Sequence, residues 1–153
     1  MRSSGSRGLL ATMAVLAVAS LAFAGPWHGW RGSGGWGARS AYQRMYNPAT
    51  VETYSGEVVS VDEFHPGNGM RTGIHLLVRS GQKTRSVHLG PAWYIERLDT
   101  RIKKGDKVEI KGSRVTFQAK PAIIAAEVKM GDALLKLRDD QGIPAWSGWR
   151  RVR

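Results

Sequence analysis

The feature that most constrains the fold is a succession of short segments in which apolar and polar residues alternate, separated by residues that favour turns. Such a pattern is typical of antiparallel strands with one buried face. The first segment is long for a strand and carries Gly56 near its middle, where a bulge or a sharp bend is expected. The predicted strands cover residues 50–64, 73–79, 83–89, 107–117 and 122–129.

Between the third and fourth strands the apolar period changes, and residues 91–104 predict a helix. Pro91 suits the first helical position, where its missing N–H costs nothing. Gly105 would end the helix in the left-handed conformation. The apolar residues of the helix would form one stripe, which consists of Ile95, Leu98 and Ile102.

The order strand, strand, strand, helix, strand, strand predicts an all-β fold with one short helix. It matches a five-stranded Greek-key barrel of the OB-fold type, in which the helix closes one end. Residues 131–153 would add a C-terminal hairpin, with its turn at residues 139–142, and a basic tail that contains tryptophan. Another small barrel, or an open sheet with one helix, is the alternative.

The N-terminus has the layout of a secretory signal peptide. Two arginines precede an uncharged apolar run at residues 9–23, and small residues at positions 22 and 24 predict cleavage after Ala24. An uncleaved anchor is the alternative, although the run is short for a bilayer span of about 20 residues. The mature protein is therefore predicted to be periplasmic or secreted, and no later segment is apolar enough to span a membrane.

Residues 25–46 are rich in glycine, tryptophan and arginine and have neither helical nor strand periodicity. A segment of this kind cannot bury an apolar face, so it predicts a disordered tail. The folded domain would then begin near Asn47 and Pro48. The predicted parts are a signal peptide (1–24), a disordered tail (25–46), a barrel (47–130) and a C-terminal extension (131–153).

The composition indicates the kind of partner. Of the 23 basic residues two lie in the predicted signal peptide, so the mature chain of 129 residues has 21 basic and 12 acidic residues and a formal net charge of +9. Such a charge favours an anionic polymer, an anionic lipid surface or nucleic acid, although charge also serves solubility alone. The chain has no cysteine, so a small exported domain must be held together by its core.

Two short motifs carry a family resemblance. They are GEVV at residues 56–59 in the first strand and KGDKVEIKG at residues 104–112 at the start of the fourth. Together with the signal peptide, they make residues 51–129 resemble the exported bacterial OB-fold proteins, a small periplasmic family often described as stress-related. The resemblance implies a ligand-binding or interaction protein rather than an enzyme. It transfers no functional residue, and the tryptophan-rich ends depart from that family's pattern.

A five-residue motif, Trp-x-Gly-Trp-Arg, occurs at residues 27–31 and again at residues 146–150. Tryptophan offers a flat face and an N–H donor, and a neighbouring arginine adds charge. The combination suits single-stranded nucleic acid, a membrane interface or a glycan. The alternative is that the C-terminal tryptophans cover the barrel. The candidate binding residues of this motif are Trp146, Trp149 and Arg150.

The outward face of the second and third strands is the other candidate surface, because OB-folds bind ligands there. The apolar residues at 74, 76 and 78 must share the inner face with those at 87 and 89. A two-residue turn at Ser80 and Gly81 then pairs His75 with Ser86, whereas a four-residue turn pairs it with His88. The polar residues of this face, the predicted floor of a binding surface, would be His75, Arg79, Thr84, Ser86 and His88.

Two histidines can begin a metal site, but the sequence places no further ligand beside them, so neither a metal nor a cofactor is predicted. A pair of surface imidazoles is the favoured interpretation. Trp93 and Tyr94 are candidates to wall a groove at the barrel mouth, although such residues more often pack.

Recognised catalytic motifs are absent from the sequence. We therefore predict an exported, non-enzymatic binding or interaction protein that recognises an anionic or ring-bearing partner through a basic face. One alternative is a protein that binds single-stranded DNA or RNA. Another is an envelope structural or assembly module that docks on a membrane or a redox partner.

Overall fold

The computed structural model describes residues 34–147. The predicted signal peptide, the first part of the predicted tail, the first Trp-x-Gly-Trp-Arg motif, Trp149 and Arg150 lie outside these residues. Within residues 34–147, no helix combines the length and the hydropathy that crossing a bilayer requires.

The described part of the chain contains six strands and three short helices. A single-turn helix, α1 (Ala92–Ile95), follows the third strand, and two 3₁₀ helices, Gln43–Met45 and Pro48–Thr50, precede the first. The strands are β1 (Val51–Phe64), β2 (Gly73–Ser80), β3 (Lys83–Pro91), β4 (Lys107–Phe117), β5 (Lys120–Met130) and β6 (Ala133–Lys136).

The strand pairings close the sheet into a ring. β1 is antiparallel to both β2 and β4, and so joins the β2–β3 hairpin to the β4–β5 hairpin. Residues 86–88 of β3 pair in parallel with residues 122–124 of β5. The resulting order, β1-β2-β3-β5-β4, is that of the predicted OB-fold barrel. β6 pairs with β5 as a further strand. The predicted fold class, all-β with one short helix, is confirmed.

β1 changes partner near its middle. Glu57 is in register with Arg79 of β2 and with Lys107 of β4, and the register shift follows between Val58 and Ser60. Gly56 has a packing role beside this point, because a Cβ there would lie 2.4 Å from the backbone carbonyl oxygen of Arg79. Only glycine permits so close an approach of two strands.

The β2–β3 hairpin adopts the register that pairs His75 with His88. Its turn has two residues, Gly81 and Gln82, so the sequence prediction placed a two-residue turn one position too early. Gly81 has a φ of +60°, which a tight hairpin turn requires. The five apolar residues predicted to face inward, at positions 74, 76, 78, 87 and 89, are all buried.

The helix predicted over residues 91–104 is wrong beyond its first turn. α1 ends at Ile95, and the chain up to residue 106 is irregular. The apolar stripe still packs against the core, so its burial does not need a helical period. Asp99 and Thr100, both weak helix formers, interrupt the segment.

The disordered tail predicted over residues 25–46 is wrong for residues 34–46. Trp36 is only 1% exposed, and Tyr42 and Tyr46 are buried as well. The prediction failed because these aromatic residues are buried singly along irregular chain, without a period that a pattern can reveal. We call residues 34–46 the strap, because their side chains contact the outward face of the barrel.

The C-terminal extension fastens the strap. After β6 a single bridge joins Arg138 to Pro144, across a turn at residues 139–142. Trp146 follows and is buried, and its indole N–H donates a hydrogen bond of 2.8 Å to the carbonyl oxygen of Trp36. The two ends of the described chain therefore hold each other against the barrel.

Candidate functional site

The structure brings the five predicted floor residues together on the outward face of the β2–β3 hairpin. His75 stands opposite His88, and Arg79 stands opposite Thr84. Ser86 lies between them on the same face, and its hydroxyl is 3.1 Å from Nδ1 of His75. Their role in binding stays a prediction.

The two ends of this face differ in exposure. Arg79 and Thr84 are exposed, His75 and Ser86 are half-buried, and His88 is 3% exposed. The expectation of two surface imidazoles is therefore wrong for His88, because the strap covers it. A ligand cannot reach His88 without displacing the strap.

Aromatic rings from the barrel and the strap surround His88. Its ring centroid lies 4.4 Å from that of Phe64 and 5.0 Å from that of Phe117. Tyr42 stacks on it from the strap at 6.0 Å, and Trp36 packs edge-on against Tyr42 at 4.7 Å. We call this group the aromatic cluster, and it consists of Trp36, Tyr42, Phe64, His75, His88 and Phe117.

A buried hydrogen bond joins the strap to the barrel within this cluster. The hydroxyl of Tyr42 lies 2.8 Å from Nδ1 of His88. Burial lowers the pKa of His88 to about 3, and the nearby charges of His75 and Arg138 add to this effect. Burial also raises the pKa of Tyr42. Both groups are therefore neutral near pH 7, which suits a dry contact between two neutral groups.

His88 should make stability depend on pH. Because the pKa of His88 is lower in the folded than in the unfolded state, the unfolded state binds an extra proton as the pH falls below about 6.5, and stability is lost down to about pH 3. We expect His88 to contribute a loss of about 2–3 kcal/mol in the free energy of unfolding between about pH 7.5 and pH 4.5.

Urea denaturation at both pH values measures this effect. The His88→Gln variant should lose much of the dependence, whereas His65→Gln, which alters an exposed histidine, should keep it. Equal pH dependence in the wild type and the His88→Gln variant would contradict the assignment.

Arg138, in the C-terminal extension, is a buried cation that contacts the strap. Its guanidinium donates to the carbonyl oxygens of Leu89 and Ala125 and to Oε1 of Gln43, and it lies 5.0 Å from the ring centroid of Trp146. Burial lowers its pKa to about 10. No ion pair is formed by Arg138 with any residue in the range 34–147. Sequence reasoning missed it, because a lone basic residue near a chain end normally indicates solvent exposure.

Trp146 is part of the core. A Cβ on Gly90 would lie 2.7 Å from its indole ring, and the ring of Tyr94 lies 5.1 Å away. The predicted stacking role of Trp146 is therefore corrected to the alternative, in which it covers the barrel. Tyr94 is also buried, whereas Trp93 is half-buried beside a shallow depression that Arg71 borders.

A group of exposed cations lies at the opposite end of the hairpin, beside the turn at Gly81 and Gln82, and on the neighbouring residues 103–107. We call them the basic rim, and they are Arg79, Lys83, Lys103, Lys104 and Lys107. Lys83 follows the turn directly, while Arg79 and Lys107 lie on either side of Glu57 in the sheet.

Backbone hydrogen bonds hold the loop that carries Lys103 and Lys104 against β1. The N–H of Val58 donates to the carbonyl oxygen of Asp106, and the N–H of Gly105 donates to that of Val58, both at 2.8 Å. The carboxylate of Asp106 accepts from the backbone N–H of Lys103 at 2.7 Å, so it caps the loop. The loop lysines therefore project from a fixed backbone.

The cations of the basic rim have no ion-pair partner in the described chain. The ion pairs found there join Glu52 to Arg85 and Arg114, and Lys111 to Asp140. Sequence reasoning identified Arg79 but missed the four lysines, because it assigned two of them to the end of a helix. The local density of lysine in residues 103–107 was the signal available.

Among the described residues, no third possible metal ligand joins the histidine pair. The ring centroids of His75 and His88 are 6.2 Å apart. Across residues 34–147, no three side chains of histidine, aspartate or glutamate lie close enough together to hold a metal ion.

Comparison with known proteins places the chain in a family. No curated protein matches it. Among solved structures, it is similar to the second OB-fold domain of replication protein A from Methanococcus maripaludis, with 21% identity and a TM-score of 0.38 over 55% of this chain and 86% of that one. The model of the MamS/MamX magnetosome protein family matches residues 50–135, which run from the start of the barrel into β6. This match does not confirm the stress-related periplasmic family. The chain belongs to the MamS/MamX magnetosome protein family.

Proposed function

We propose that this protein is a non-enzymatic binding module that recognises an anionic partner through the basic rim. The observation that carries the proposal is a group of five exposed cations, at the hairpin turn and on the neighbouring residues 103–107, that form no ion pair among the described residues. Glu57, in register between Arg79 and Lys107, offsets part of this positive charge, and an anionic partner would neutralise the remainder.

A ring-bearing partner has less support. Within residues 34–147, the strap covers His88, and the rings of Phe64, His75 and Phe117 beside it are half-buried. Trp146 is buried as well. An anionic partner is therefore favoured over a ring-bearing one.

The proposal includes export and the absence of catalysis. Export is supported by the signal-peptide layout of residues 1–24. The nearest arrangement to a catalytic pair is His75 with Ser86, but no hydrogen bond joins His75 to a carboxylate within residues 34–147. Any turnover that His75→Ala abolishes would overturn this part of the proposal.

Charge reversal in the basic rim tests the proposal. We expect the Lys103→Glu/Lys104→Glu variant to bind a heparin hexasaccharide at least about tenfold more weakly than the wild type, and to show a smaller dependence of affinity on salt. The matched control is Lys120→Glu/Lys136→Glu, which changes the charge equally at exposed lysines outside the rim. Isothermal titration at several salt concentrations measures both quantities. Equal weakening in the two variants, or an affinity independent of salt, would contradict the proposal.

A further inference from the structure

The shape of the basic rim narrows the class of anionic partner. Arg79 and Lys107 border a shallow depression that is open to solvent, with Gly56, Glu57 and Gly81 along it. A broad anionic surface can contact such an open depression, whereas a small molecule needs a pocket that encloses it.

The basic rim also lacks rings on which bases stack. None of its five residues is aromatic, and neither is Gly81 or Gln82 in the turn. Tyr54 lies nearby, but its hydroxyl donates to the carbonyl oxygen of Lys83 at 3.1 Å and Arg85 lies over its ring at 5.1 Å. Binding of single-stranded nucleic acid relies on such rings as well as on charge.

The aromatic cluster is too far away to supply these rings. His75 and Ser80 are separated by five positions of β2, which corresponds to roughly 17 Å at the rise of an extended strand. A partner seated on the rim therefore meets cations and backbone, but not the rings of the aromatic cluster.

The composition of the basic rim agrees with a surface of mobile anionic groups. Four of its five cations are lysines, which act as point charges on flexible stems, whereas arginine suits fixed, bidentate recognition. The large apolar residues that are exposed in the described chain, Val61, Leu134 and Ile143, are not members of the rim. Contact through the rim is therefore electrostatic and does not insert apolar side chains.

We infer that the basic rim docks the barrel end-on against an anionic lipid surface, with headgroup phosphates facing its five cations. This inference rests on the proposed function and names the partner of the same site. Each basic residue near an anionic membrane contributes about 1 kcal/mol, so reversing two charges should weaken binding by about tenfold or more.

Vesicle co-sedimentation of the full chain tests the inference. One set of vesicles contains equal parts of phosphatidylglycerol and phosphatidylcholine, and the other contains phosphatidylcholine alone. We expect binding to increase with phosphatidylglycerol, to fall by about tenfold or more in Lys103→Glu/Lys104→Glu, and to persist in Lys120→Glu/Lys136→Glu. The N-terminal residues also carry two arginines before their apolar run, so binding through them would favour phosphatidylglycerol as well. That binding would be the same in the wild type and both variants, so the difference between the variants isolates the rim's contribution.

Each other outcome is decisive. Rim-dependent binding to heparin or to a single-stranded oligonucleotide, without preference for phosphatidylglycerol, would overturn the lipid inference and leave the proposed function standing. Binding to anionic vesicles that the rim variant retains in full would overturn the inference as well. Absence of rim-dependent binding to any of these polyanions would overturn both.

Discussion

Replacing Trp36 with alanine is expected to lower the free energy of unfolding by about 3–5 kcal/mol. The side chain is 1% exposed, and its indole N–H donates to the carbonyl oxygen of Arg71 at 2.8 Å. Its ring packs edge-on against those of Tyr42 and Phe64. The substitution therefore leaves a large cavity and an unpaired carbonyl group, and it removes the strap's main contact with the barrel.

Urea denaturation followed by circular dichroism measures this loss. The matched control is Trp93→Ala, which removes the same side chain from a half-buried position and should cost about 2 kcal/mol or less. A loss below about 1 kcal/mol for Trp36→Ala, comparable with that of an ordinary surface substitution, would show that the strap is dispensable.

Replacing Gly73 with valine should lower the free energy of unfolding by about 3 kcal/mol. Gly73 lies on the barrel side of the contact that Trp36 makes from the strap. A Cβ at this position would lie 2.5 Å from the indole of Trp36 and 2.6 Å from the ring of Phe64. Both rings are held by packing, so the added methyl groups must displace the strap or distort β2. Thr116→Val, at an exposed strand position, should change stability by only about 0.5 kcal/mol.

The two substitutions at this contact are expected to be non-additive. Trp36→Ala removes one of the two rings that the new valine meets, so Gly73→Val should cost less in that background than in the wild type. Coupling of about 1 kcal/mol or more is typical of residues in direct contact. Additive effects would mean that Trp36 and Gly73 do not meet in solution.

The sequence was informative where burial followed a period. Alternation between apolar and polar residues located the strands, and the parity of Leu76 and Val87 restricted the β2–β3 hairpin to two registers, one of which is observed. It could not choose between them, because the choice depends on the turn. Gly81 with Gln82 and Ser80 with Gly81 are both acceptable turn pairs by composition.

The sequence was uninformative where burial depends on single long-range contacts. Trp36 and Tyr42 lie in irregular chain, and residues distant in sequence, among them Phe64 and Phe117, make their burial favourable. The burial of His88 follows from the strap and was missed with it. A contact of this kind leaves no local pattern in the sequence, because the residues around each partner would equally suit an exposed position.

The basic rim was partly foreseeable. Its lysines are conspicuous in the sequence, but their grouping depends on β1 pairing with β2 and β4 at Glu57, which brings the hairpin turn beside the loop at residues 103–107. Because that segment was predicted to end a helix, Lys103 and Lys104 were interpreted as helix-end residues and not as part of a binding surface.

Chemical-shift mapping of the ¹⁵N-labelled protein during titration with a heparin hexasaccharide tests most directly where the protein binds. We expect the amide signals of residues 79–83 and 103–107 to move, while the indole N–H signals of Trp36 and Trp146 and the amide signal of His88 stay in place. Movement of the indole and His88 signals, with the basic rim unchanged, would show that the strap opens and that the covered face is the binding surface.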